Sequence, residues 1–128
     1  MAQDRPRAVE LLAAVRELLD DDIRPALDGR LAFHVRVAVN ALRIVERELC
    51  DGPALEDAEH ARAVRLLGVD ADVRSLEAEV ARRIRSGALD GTRADVVAHV
   101  RATVREKLLV ANPGYLETAA RADEPGVP

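Results

Sequence analysis

Apolar residues recur at helical spacing in five stretches of this chain, separated by Gly, Pro and Asp. The longest stretch spans 30–50. On a wheel turning about 100° per residue, Leu31, Val35, Ala38, Ala41, Leu42, Val45 and Leu49 share one arc. Phe33, Val37 and Ile44 form an adjoining arc, and the polar stripe is narrow: Arg36, Asn40, Arg43 and Arg47. A helix apolar over most of its circumference is expected to have protein on nearly every side, either as a bundle's middle helix or against a second copy.

The other elements follow from their stripes and stops. A first helix is expected over 5–24, capped by Asp4 with Pro6 in its first turn. It should fray by Leu19, leaving Asp20, Asp21 and Asp22 solvated, because a helix C-terminus disfavours anions. Asp51-Gly52-Pro53 predicts a break before a third helix over 54–67. Asp70 or Asp72 should cap a fourth over 73–86, with Gly87 as its C-terminal glycine. Asp90 or Thr92 should cap a fifth over 93–111, whose inward stripe is Val96, Val97, Val100, Thr103, Val104, Leu108 and Ala111. Asn112-Pro113-Gly114 ends it, and 117–128 reads as a disordered tail. The expected fold is an all-α, single-domain bundle of about five helices over 1–116. Helices one, two and five would form the main core, and three and four a smaller hairpin.

Composition narrows the function more than the fold. The chain has 128 residues, 48% hydrophobic and 33% charged, which fits a folded domain rather than a disordered one. Strands are not expected, since β-branched residues do not alternate. The net charge is −4 and the only aromatics are Phe33 and Tyr115, so both a basic footprint and base-stacking platforms for nucleic acid are missing. All but one of the 19 basic residues are Arg. Cys50 stands alone, which excludes an intrachain disulfide, and it reads as a small half-buried apolar group. No apolar run reaches the ~20 residues of a membrane span. A cytoplasmic protein without cofactor or membrane partner is expected.

Candidate chemistry lies where polar groups interrupt apolar faces. His34 projects from the apolar arc of the central helix, either as a neutral imidazole bonded to a neighbour or as a ligand or proton-transfer group. Lys107, the only lysine, falls within the fifth helix's stripe. It either snorkels its ammonium to water or pairs with an acid or an anionic ligand. Asn40 and Tyr115 could add hydrogen bonds to an anion site formed with His34 and Lys107 between helices two and five. Glu56 and His60 have metal-ligand spacing, but no second such pair accompanies them, so no metal site is expected. Phosphate loops and the common hydrolase and zinc motifs are absent. Arg93 and His99 have the Arg-x5-His spacing of helical HEPN ribonucleases, with Ala94 in place of the usual polar residue and His99 off the apolar stripe, toward solvent.

The stretches RPRAVELLAAVRELL, GRLAFHVRVAVNALRIVEREL, GPALEDAE and VRATVREKLLVANPGYL resemble a bacterial, all-helical family of unknown function. They cover most of 5–116, and the family pattern falls on His34, Asn40, Arg47, Glu48, Lys107, Pro113 and Tyr115. Members of that family are often encoded beside aminoglycoside-phosphotransferase-like kinases and acyl-CoA dehydrogenases. The resemblance implies an accessory setting and no activity of its own. The chain therefore reads as an accessory or interaction module rather than an enzyme, a homodimer with a kinase-like or acyl-CoA dehydrogenase partner. A small-anion-binding domain is the alternative, for a phosphorylated acid or an acyl-CoA, and a HEPN-like ribonuclease is a third reading.

Overall fold

The computed structural model describes residues 4–123, and every regular element among them is helical. Helix α1 spans Ala8–Glu17 and runs on through a π-helical turn, Leu18–Ile23, and a 3-10 turn, Arg24–Ala26. Helix α2 spans Gly29–Leu67, α3 Val73–Ser86, α4 Arg93–Ala111 and α5 Pro113–Asp123. The all-α expectation holds, but the chain is divided differently.

The expected break at Asp51-Gly52-Pro53 does not interrupt the backbone. Pro53 lies inside α2, which is 39 residues long. A proline inside a helix removes one hydrogen bond and crowds the carbonyl four residues back. Backbone contacts divide the chain into two compact units, 1–52 and 53–128, a division the single-domain expectation does not contain.

The caps sort in the same way. Asp72 caps α3 by accepting from the Ser75 N–H at 2.9 Å, and Gly87 ends it in the left-handed region, φ 79°. Asp4 does not cap α1. Arg7 holds that position, and the Glu10 carboxylate accepts from its N–H at 2.7 Å. Asn112 does stop α4, but Pro113 opens α5, because its fixed φ and missing N–H suit a first helical position. The expected tail is thus helical as far as Asp123, and 124–128 lie outside the described residues.

In the first unit α1 and its π turn lie along one side of α2. The Arg16 guanidinium donates to the Glu46 carboxylate at 2.6 Å, and the pair is partly buried. Asp20 accepts from Arg24 at 2.8 Å and from Arg43 at 3.0 Å. The π turn therefore turns Asp20 onto α2 instead of leaving it solvated. Val39 is the buried residue of this unit.

The tightest core is in the second unit. Ala63 and Leu67 of α2 pack with Leu76 and Val80 of α3, flanked by Val64 and Leu66. The pair expected to make a minor hairpin thus holds the most buried cluster among the described residues.

Candidate functional site

Two features stand out, one in each unit. In the first, the middle-helix alternative for 31–49 is overturned, since the chain itself does not enclose the segment. Leu31 and Phe33 are each 62% exposed, Val37 51%, Leu49 47% and Val45 40%. Val39, Val35 and Glu46 occupy the face of α2 toward α1, and the more apolar face points away from it. His34 lies on that outer face and is exposed. Its Nε2 accepts from Arg30 at 3.1 Å, and its ring stands edge-on to Phe33, centroids 5.9 Å apart. Asn40 is exposed as well.

In the second unit ionisable groups gather between the later part of α2, α3 and α4. Arg62 donates through both terminal nitrogens to Glu106, each at 2.7 Å, and to Thr103 at 3.4 Å. The Glu106 hydrogen bond raises the guanidinium pKa, against the effect of burial. Glu59 is pushed up to about 7, first by burial and then by its hydrogen bond with Glu77. That same bond holds Glu77 below the usual carboxylate range, helped by Lys107 at 3.3 Å. The pair therefore favours a protonated Glu59 beside an ionised Glu77, with Lys107 as the neighbouring positive charge.

His99 is a correction. It does not face solvent but is buried, 8% exposed, with its Nδ1 unpartnered. Burial, then the Arg62 charge, lowers its pKa. The cause is a rotation of α4 relative to expectation. His99, Thr103 and Glu106 lie inward, while Val97, Val100 and Val104 are 42–51% exposed. Beside them is a shallow pocket of about 360 Å³ whose wall includes Arg62, Arg65, Thr92, Asp95 and His99. Arg93 is not part of that wall, so the pocket does not unite the ribonuclease-like pair.

The expected anion-site residues are therefore split. His34 and Asn40 belong to the first unit, Lys107 and Tyr115 to the second. Lys107 is committed to Glu77, and Tyr115 is 58% exposed. His60 is bonded to Asp70 at 2.9 Å and Ala71 at 3.0 Å. No group of three or more His, Cys, Asp or Glu side chains among the described residues is placed to hold a metal. Cys50 is exposed rather than half-buried. No helix among the described residues is long and apolar enough to cross a membrane.

Taken singly, the members of the inner cluster carry no signal in the sequence. Glu59 and Arg62 share one side of α2, and His99, Thr103 and Glu106 are spaced i, i+4, i+7 on α4. Two polar stripes at helical spacing, one carrying an acid and an arginine and the other an acid and a histidine, were the available signal.

Structure and sequence together define a small all-helical protein with an outward apolar helix face and an internal polar cluster. Residues 25–115 match the family described as a domain of unknown function, DUF6285, and the chain belongs to it. Neither the curated proteins nor the solved structures include a match.

Proposed function

We propose that this protein is a non-catalytic interaction module that works as a homodimer, with the outer face of α2 as its contact. The observation that carries the reading is the exposure of Leu31, Phe33, Val37, Val45 and Leu49 on one helix. Together with the exposed Ala38 and Ala41 they amount to several hundred square ångströms of contiguous apolar surface, as large as patches that mark association sites. A second copy is the occupant because the face is charged only near its ends, with Arg30 at one and Glu48 at the other. Such a surface complements itself. As the accessory of a phosphotransferase-like kinase or an acyl-CoA dehydrogenase, which the family resemblance suggests, the dimer would present two copies of its remaining surface to the enzyme.

The test is light scattering on the full chain. The wild type should have twice the chain mass at micromolar concentration. Val37→Glu should be a monomer with unchanged helical circular dichroism, since position 37 is exposed within the single chain. A monomeric wild type would sink the reading.

A further inference from the structure

The outer face of α2 has a register, and it is symmetric. Arg30, His34, Val37, Ala41, Ile44 and Glu48 follow one another at spacings of four, three, four, three and four. This is the four-three spacing of a two-stranded coiled-coil seam, apolar at Val37, Ala41 and Ile44 and polar at Arg30, His34 and Glu48. It points away from the side of α2 that Arg16 and Asp20 engage through Glu46 and Arg43. Reversed about position 39, the seam maps onto itself: 30 onto 48, 34 onto 44, 37 onto 41. The charged ends are then opposite in sign, and Glu48 is exposed with no partner among the described residues. Ala41 and the flanking Ala38 are small enough for the ~8–10 Å helix separation of such pairs.

We infer that two copies of the chain pair antiparallel through this seam. Arg30 of each then lies opposite Glu48 of the other, and Val37 opposite Ala41. The inference rests on the homodimer reading above and adds the orientation, which that reading leaves open. A parallel pair would stack Arg30 on Arg30 and Glu48 on Glu48. The antiparallel pair replaces both repulsions with attractions and layers His34 against Ile44. His34 fits there because its Nε2 is already satisfied by Arg30 of its own helix.

Charge reversal separates the two orientations. In the antiparallel dimer Arg30→Glu or Glu48→Arg alone should weaken association roughly tenfold at low salt, and the double reversal should restore it to within about threefold. In a parallel dimer neither single reversal changes the sign of a contact, and there is nothing to rescue. A second readout uses cysteines in a Cys50→Ser background. A mixture of His34→Cys and Ile44→Cys chains should cross-link under mild oxidation. Either alone should not, because its two thiols would lie about 15 Å apart along the axis, against the ~4.4–6.8 Å between Cα atoms that a disulfide spans. Rescue by the double reversal, with cross-linking only in the mixture, supports the register. A dimer without rescue, or one in which His34→Cys cross-links to itself, overturns the antiparallel register and leaves the homodimer standing. A monomeric wild type overturns both.

Discussion

The two units treat apolar side chains in opposite ways. In the first, α2 turns Val39 toward α1 and leaves Leu31, Phe33 and Val37 outside. In the second, the same helix continues past Pro53 and closes Ala63 and Leu67 against Leu76 and Val80. The first unit is the more apolar in sequence, and it is the less buried. Burial follows the neighbours available to each face, and α1 with its π turn offers α2 Arg16 and Asp20 as much as leucines. The proposed homodimer would cover the apolar surface that the first unit leaves exposed.

The sharpest way to break this contrast is in the second core. Leu76→Ala empties a site that is 1% exposed and should cost about 2–5 kcal/mol in urea denaturation. An exposed residue of the α2 face changed likewise, such as Val37→Ala, should move single-chain stability by no more than about 0.5 kcal/mol. Equal costs would mean that the units are not packed differently.

A smaller effect is expected at the Arg62–Glu106 pair, whose side chains are 20% and 17% exposed. Arg62→Met keeps most of the aliphatic stem but strips Glu106 of two hydrogen bonds, and should cost about 1–3 kcal/mol. The matching first-unit change, Arg43→Met, breaks a more exposed pair and should cost below about 1 kcal/mol. If the two variants melt together, the internal cluster contributes nothing special to the second unit.

A last contrast is in pH. Glu59 binds its proton more tightly folded, about 7, than at its ordinary value of 4.5. Its stabilising contribution is therefore complete below about 4.5 and disappears as pH rises through 7. His99 and Glu77, both lowered, act in the other direction, losing stability as pH falls. Comparing Glu59→Gln with wild type isolates the Glu59 part. The variant should gain on wild type in urea midpoint between pH 5 and pH 8, since Gln keeps the neutral form. Parallel curves would show that Glu59 is not held protonated beside Glu77 in the folded chain.

Much of the local structure was legible. Asp72 and Gly87 bound α3 as their chemistry requires, and α4 runs over the residues its stops predict. The candidate site was less so. Periodicity identifies a stripe but not the side of the helix that meets the rest of the chain. In α4 the valine stripe and the His99–Thr103–Glu106 stripe have the same period, and the polar one is inside. Arg62 decides this from another helix, by giving Glu106 a partner that makes its burial tolerable.

By itself the sequence determined that the chain is helical and where α3 and α4 begin and end, because caps and glycine conformations act over a few residues. Only the tertiary structure decided that α2 runs unbroken through Pro53, that its most apolar face looks outward, and that Glu59, Glu77, Lys107, Arg62 and His99 meet. Those outcomes depend on which groups from distant parts of the chain arrive opposite one another, and a buried charge or an exposed leucine is stable or unstable only with respect to that neighbour.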